Sequence, residues 1–267
     1  MPELPEVEVA ARSLRDWLVS RVIDHVRGKP SPVLGTVTPR SLSKSLVGER
    51  VDAVERRGKR LKLVLARHEL HAHLGMTGKW VKRAPADPPE RFEVVRIDAG
   101  DTSVRYVDPR TLGRISLVPA GTRVAAWHAL GPDPLIDGID GKVLSSRLAR
   151  KKGSLKEALL DQSRIAGIGN IQAAEALWLA KLHPEREASS LSAREAGALA
   201  RAITKSVKET LEKELAGEIS YLGEKGAVNE FRVYGRHGQA CPRCRGVLSR
   251  MVQAGRSTVF CPRCQAL

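Results

Sequence analysis

The four cysteines of the chain constrain its fold more than any other feature. They form two Cys-x2-Cys pairs near the C-terminus: Cys241, Cys244, Cys261 and Cys264. This spacing is typical of a zinc ribbon, in which each pair supplies two thiolates from one turn and the two pairs complete a tetrahedron. Two disulfides are the alternative, but the sequence has no recognisable export signal. The pattern therefore predicts one structural Zn²⁺ with no open coordination position, and hence no catalytic role for the metal.

Charge points to the class of partner. The 267 residues include 45 Lys and Arg against 30 Asp and Glu, a net charge of +15 that is spread along the whole chain. Such an excess predicts a polyanionic partner, nucleic acid first, although a generally basic proteome would produce it too. The aromatic content of 4% argues against binding single strands on stacked rings. Without a long apolar run, we expect a soluble cytoplasmic protein with no membrane partner.

The hydrophobic pattern changes twice along the chain. Apolar residues at helical spacing predict a helix over about residues 5–20, and short alternating runs from about 22 to 119 predict an antiparallel β-sandwich or barrel. Pro-rich and Gly-rich residues 131–138 are typical of a linker. Four helices are then predicted, over 144–152, 155–162, 171–182 and 193–215. The resulting domains are 1–131, 139–222 and the ribbon at 231–267.

The Gly-rich turn between the second and third of these helices is a candidate anion site. It runs Ser163-Arg-Ile-Ala-Gly-Ile-Gly-Asn170, with Asn170 opening the next helix. Backbone N–H groups and the positive end of a helix can face a phosphate there. A Gly-x-Gly sequence alone is a weak indication.

The first residues of the chain carry a candidate nucleophile. Pro2 is small enough to favour removal of Met1, which would leave a secondary amine next to the carboxylate of Glu3. An α-amino group has a pKa of about 7.7–8.0 and can form Schiff bases, while a carboxyl group can move the protons required. From these residues alone, a proline that merely starts a helix is an equally good interpretation.

Two loops present unusual apolar tips. Met76 lies between two glycines in His-Leu-Gly-Met-Thr-Gly, and Arg110 and Leu112 lie in Asp-Pro-Arg-Thr-Leu-Gly-Arg. Side chains on such tips could enter a base stack, with the arginine filling space beside them. A tip folded back onto the sandwich is the alternative.

Taken together, these motifs resemble the formamidopyrimidine-DNA glycosylase/endonuclease VIII family over essentially the whole chain. The resemblance is carried by the following stretches: PELPEVE at 2–8, RRGK at 56–59, HLGMTG at 73–78, DPRTLGR at 108–114, DQSRIAGIGNI at 161–171, VYGR at 233–236 and the cysteine ribbon. Leu4 places the N-terminus closer to the formamidopyrimidine branch, because endonuclease VIII usually has Gly there.

The resemblance implies an α+β multidomain fold: an antiparallel β-sandwich with an N-terminal helix, a helix–two-turn–helix bundle and a zinc hairpin. It implies that Pro2 is the Schiff-base nucleophile and Glu3 the acid/base, with Glu6 nearby. Lys59 belongs with this catalytic pair. The family positions that grip phosphates are matched by Lys59, His73, Asn170 and Arg256. Met76, Arg110 and Leu112 match the residues that fill the space of the extruded base.

The implied activity is a bifunctional DNA glycosylase and abasic-site lyase acting on damaged duplex DNA, with the protein a monomer. The lesion stays open between formamidopyrimidines, 8-oxoguanine, oxidised pyrimidines and abasic sites. Leu112 replaces the phenylalanine typical of 8-oxoguanine enzymes, and the loop over 217–231 looks shorter than theirs. An endonuclease VIII-like enzyme, a non-catalytic module that binds damaged DNA and a helix–two-turn–helix protein of translation are the alternatives.

Overall fold

A computed structural model describes residues 2–149, 152–215 and 228–267. The chain divides into two compact units. Of the described residues, the first unit contains Pro2 and Glu6–His128, and the second contains Glu3–Pro5, 129–215 and 228–267. Most of the 217–231 loop, on which the 8-oxoguanine comparison depended, lies outside the described residues.

The first unit is built from helix α1 (Leu4–Leu18), of which it contains the part from Glu6 onward, and two antiparallel four-stranded sheets. Its strands are β1 (His25–Gly28), β2 (Val51–Arg57), β3 (Arg60–Leu65), β4 (His68–His73), β5 (Lys79–Arg83), β6 (Glu93–Ala99), β7 (Thr102–Val107) and β8 (Arg114–Pro119). One sheet has the order β1-β6-β7-β5 and the other β2-β3-β4-β8. The predicted antiparallel sandwich with its N-terminal helix is confirmed.

One core joins both sheets and α1. Leu61, Leu63 and Leu65 alternate inward along β3, as a half-buried strand requires, and Leu14 of α1 packs into the same cluster. Strand β7 is buried on both faces, so polar side chains such as Arg105 lie inside the unit. The chain that leaves this buried strand forms the loop with the predicted tip residues Arg110 and Leu112.

Short helical segments interrupt the strand region, where only strands were expected. Helix α2 (Pro39–Leu46) is held by a capping box between Thr38 and Ser41 and buries Leu42 and Leu46 one turn apart. A 3-10 turn over Pro32–Leu34 is shorter still, and helix α3 (Ala125–His128) follows the last strand of the region. Segments of one or two turns show too few periods for the hydrophobic pattern to reveal them.

The second unit contains the predicted helix bundle. Its helices are α4 (Gly141–Leu148), α5 (Leu155–Leu160), α6 (Asn170–Ala180) and α7 (Ala193–Glu214), with a 3-10 turn over Ala188–Ser190. Helix α4 begins three residues before its predicted start because Asp140 caps it by accepting the Val143 N–H. Helix α6 ends at Ala180, two residues early, because Lys181 adopts a left-handed conformation.

Strands β9 (Ser249–Gln253) and β10 (Arg256–Phe260) form the predicted ribbon hairpin. Trp178 of α6 packs with Val233, Leu248 and Cys241 in a small core beneath it. The segment 131–138, which was predicted as a linker, is hydrogen-bonded to the helical part of the second unit. Gly131 N–H donates to Gln162 O at 2.9 Å. None of the helices in the described part of the chain combines the length and apolar character needed to cross a bilayer.

Candidate functional site

Glu3 is held at the N-terminus of helix α6. Its buried carboxylate accepts the backbone N–H groups of Gly169 at 3.0 Å, Ile171 at 2.8 Å and Gln172 at 3.0 Å. The N-cap residue of α6 is Gly169, which has no side chain to satisfy these donors, so Glu3 replaces the missing cap. The positive end of the helix further stabilises the negative charge. Pro2, which is also buried, directly precedes this fixed carboxylate.

Asn170 and the ribbon meet beside the same helix end. The Asn170 side chain is 7% exposed, and its Nδ2 donates to Ser257 O at 3.0 Å, next to the exposed Arg256. Asn170 Oδ1 has no hydrogen-bond partner among the described residues. The second unit therefore brings together Glu3, Asn170 and Arg256, three of the predicted site residues, around one helix N-terminus and one hairpin.

Lys156 joins this group, although its sequence context did not single it out. It is fully buried on α5, where its Nζ donates to Thr258 Oγ1 at 2.5 Å and to Ser257 O at 3.3 Å. Burial lowers the pKa of Lys156 to about 8; Glu3 opposes this change and Arg256 adds to it. One lysine in a short apolar helix normally extends to solvent, so only the tertiary structure reveals its contacts.

Glu175 is a second buried carboxylate that was not predicted. It accepts the backbone N–H groups of Arg232 at 3.0 Å, Val233 at 2.8 Å and Tyr234 at 3.0 Å. It thereby fixes the chain just before the ribbon. A signal was present, because Glu175 is the one charged residue in the otherwise uncharged helix α6, and an isolated carboxylate there requires a partner.

In the first unit, Lys59 lies in the tight turn between β2 and β3. The neighbouring Arg56, whose side chain is fully buried, donates to Glu8 Oε2 at 2.6 Å and to Gly58 O at 3.1 Å, which ties this basic turn to α1. Burial opposes ionisation of Glu8, but hydrogen bonds from Arg56 and Arg12, together with the charges of Arg56 and Arg15, outweigh it and lower its pKa. Glu6 is also buried on α1.

His73, at the end of β4, is neutral at physiological pH. Burial, reinforced by Arg60 and Lys59, lowers its pKa to about 4. Its Nδ1 accepts the Gly75 N–H at 3.1 Å, which assigns the proton of the neutral ring to Nε2. His73 can therefore donate one hydrogen bond to an anion without carrying a charge.

The predicted tip residues are exposed on their loops in the first unit. Met76 is 37% exposed and Leu112 is 47% exposed, and Arg110 is exposed as well. None of the three is folded back into the sandwich core. The two tips are therefore available to an incoming ligand.

The four cysteines form one cluster. Their Sγ atoms all lie within 4.8 Å of one another, and Cys244 Sγ is 3.5 Å from Cys261 Sγ. Each carries a free thiol, so the alternative of two disulfides is wrong. A tetrahedral zinc with Zn–S bonds of about 2.3 Å would space its sulfurs by roughly 3.8 Å. The donor set and its spacing thus fit a four-thiolate metal site.

Three family models match successive parts of the chain. They are the formamidopyrimidine-DNA glycosylase N-terminal domain over residues 1–115, the formamidopyrimidine-DNA glycosylase H2TH domain over residues 130–220, and a zinc finger found in FPG and IleRS over residues 238–267. The matches follow the order of the sandwich, the bundle and the ribbon described above.

Individual relatives match over their full length. A formamidopyrimidine-DNA glycosylase of Herpetosiphon aurantiacus is 41% identical, with 100% of both chains covered. Lactococcus lactis Fpg in complex with DNA containing an abasic site superposes with a TM-score of 0.89 at 31% identity, covering 99% of this chain and 100% of that one. The same values of TM-score and identity, with 100% of both chains covered, hold for wild-type Lactococcus lactis Fpg with DNA containing N7-benzyl-Fapy-dG. The chain belongs to the formamidopyrimidine-DNA glycosylase family.

Proposed function

We propose that this protein is a DNA glycosylase that removes oxidised bases from duplex DNA and then cleaves the strand at the abasic site. The observation that carries the proposal is the geometry of Glu3, which three N–H groups fix directly beside the Pro2 nitrogen in the chain. The positive net charge suits the polyanionic substrate.

The chemistry follows from a secondary amine. Once Met1 is removed, the Pro2 nitrogen donates its lone pair to C1′ and the glycosidic bond breaks. The base departs with the electron pair of the glycosidic bond and takes up the proton that the Pro2 nitrogen releases. Opening of the sugar ring at O4′, which takes up a proton, gives an iminium ion. This electron sink acidifies the C2′ proton, whose loss expels the 3′ phosphate, and a second elimination expels the 5′ phosphate. We assign the proton transfers to Glu3.

The remaining predicted residues have supporting roles in this proposal. Lys59, His73, Asn170 and Arg256 hold the phosphates on either side of the extruded nucleotide. Their donors suit this task, since His73 offers an Nε2 proton and Arg256 is exposed. Met76, Arg110 and Leu112 fill the space that the nucleotide leaves, because the sugar carbon cannot be reached inside the duplex.

The cysteine cluster would hold one Zn²⁺ through Cys241, Cys244, Cys261 and Cys264. With four protein ligands the ion has no free position, so it stabilises the hairpin that carries Arg256. We expect the protein to act as a monomer on a duplex containing a formamidopyrimidine or an abasic site. The two structures of Lactococcus lactis Fpg described above contain DNA with lesions of these kinds.

Borohydride trapping on a duplex with an abasic site tests the nucleophile. One variant carries two extra residues ahead of Pro2, which convert its nitrogen into an amide, and a matched control carries the same residues after Leu267. Covalent trapping and strand cleavage should disappear in the first and persist in the second. Undiminished trapping by the N-terminally extended protein would contradict the proposal. A panel with a formamidopyrimidine, 8-oxoguanine and thymine glycol then ranks the lesions.

A further inference from the structure

The two exposed tips of the first unit belong to loops that touch each other. We call residues 74–78, which follow β4, the methionine loop, and residues 108–113, which join β7 to β8, the leucine loop. A Cβ atom built on Gly75 would lie only 2.5 Å from the carbonyl carbon of Leu112. The backbones of the loops are therefore in direct contact just behind Met76 and Leu112.

One carboxylate bonds to both loops. Asp108, which is 1% exposed, accepts the Thr77 hydroxyl at 2.6 Å on Oδ1. The same oxygen accepts Arg110 N–H at 3.2 Å, and Oδ2 accepts Gly113 N–H at 2.8 Å. Asp108 thus orders its own loop from inside and reaches across to the methionine loop through the Thr77 hydroxyl.

Tyr106 supports both loops from below. A Cβ atom on Gly78 would lie 2.0 Å from Tyr106 Oη, and one on Gly113 would lie 1.9 Å from it. The Tyr106 ring is fully buried and packs edge-on against Trp80, with ring centroids 5.0 Å apart. Both loops therefore rest on one rigid side chain of the sandwich core.

The leucine loop is also strained. Thr111 has a φ of +51°, a left-handed conformation that a β-branched residue rarely adopts. Its N–H donates to Asp108 O at 3.3 Å. A strained backbone of this kind persists only where neighbouring contacts hold it in place. In this loop the hydrogen bonds around Asp108 provide those contacts.

From these contacts we infer that Asp108 and Thr77 are positioning residues, which lock the methionine loop and the leucine loop into one rigid body so that Met76, Arg110 and Leu112 enter a duplex together. The inference rests on the proposed function only in that these three side chains fill the space of the extruded nucleotide. A loose pair of loops would have to be ordered at the moment of insertion, and that ordering would slow the step.

Coupling between the loops is measurable without DNA. Thr77→Val removes the hydroxyl with little change in volume, and Thr77→Ser keeps it as the matched control. In hydrogen exchange followed by mass spectrometry, amides over 108–113 should exchange about tenfold faster in Thr77→Val, the factor expected for one lost hydrogen bond to a carboxylate. Thr77→Ser should exchange like the wild type. Unchanged protection in Thr77→Val would overturn the coupling.

The positioning role needs a second readout. Borohydride trapping rates are compared on an abasic site in a duplex, where a space must be filled, and on the same site in a single strand, where there is none. For Thr77→Val we expect about a tenfold loss on the duplex and no change on the single strand. If Thr77→Val trapped both DNAs at the wild-type rate, or lost the same factor on both, the positioning role would be overturned.

Failure of the proposed function has a different signature: wild-type protein would show no trapping on either DNA while the exchange coupling persisted. Asp108→Asn extends the series, because an amide offers one acceptor oxygen for three donors. If that variant does not fold, judged by circular dichroism, the two Thr77 variants still decide the question.

Discussion

The carboxylate of Glu3 accepts the N–H of Gly169 at 3.0 Å across 166 residues of sequence. Glu3→Gln tests this contact, because an amide offers one acceptor oxygen and places an NH₂ group against the remaining N–H donors. We expect trapping to fall below detection and the free energy of unfolding to drop by about 1–3 kcal/mol. The exposed Glu185→Gln is the control and should leave both unchanged. Wild-type stability in Glu3→Gln would contradict the hydrogen bonding described.

Lys156 makes stability depend on pH at alkaline values. Because burial lowers its pKa to about 8 from an ordinary 10.5, the unfolded chain binds more protons than the folded one between these pH values, and stability rises with pH there. We expect a gain of about 1.5 kcal/mol from pH 8 to 9.5. Urea unfolding of wild type and Lys156→Met gives the difference. A parallel rise in Lys156→Met would exclude Lys156 as the source.

His73 makes the stability of the protein depend on pH at acidic values. Its pKa of about 4 in the folded protein lies below the usual 6.5, so stability is present above pH 6.5 and is lost as the pH falls toward 4. From pH 7 to 5 the loss should be at most about 2 kcal/mol. His73→Asn keeps an acceptor for the Gly75 N–H but does not titrate, and its stability should fall less. Identical pH curves for both proteins would be inconsistent with this assignment.

Removal of zinc should disturb more than the ribbon. The proposed Zn²⁺ stabilises the hairpin, whose Ser257 O and Thr258 Oγ1 accept hydrogen bonds from Asn170 and Lys156. After chelation we therefore expect one zinc released per chain, faster exchange at the start of α6 and a loss of duplex affinity of at least tenfold. Cys264→Ser should behave like the chelated protein. Full affinity in the stripped protein would argue against this role.

Features determined by local sequence were predictable. Helix α7 begins at Ala193 as predicted, where the capping box of Ser192 and Glu195 starts an amphipathic run. The ribbon followed from cysteine spacing, and the β3 strand from simple alternation of apolar residues. In each case the deciding residues belong to one short stretch of the chain.

What the sequence did not reveal depends on contacts between distant residues. Nothing local marks Lys156 as buried or pairs Thr77 with Asp108, which lie 31 positions apart. The motifs that contain Glu3 and Gly169 were both noticed, yet their hydrogen bond could not be inferred from either. The roles of the site residues stay predictions, because each role is defined by contacts with the proposed DNA substrate.

The first turn of helix α6 donates hydrogen bonds to Glu3, and Glu175 of the same helix accepts hydrogen bonds from the chain just before the ribbon. Adding or deleting one residue between these two attachment points would rotate one relative to the other by about 100°. Neither attachment could then be recovered by adjusting side chains. Natural variants of this protein should therefore keep the length of α6 unchanged.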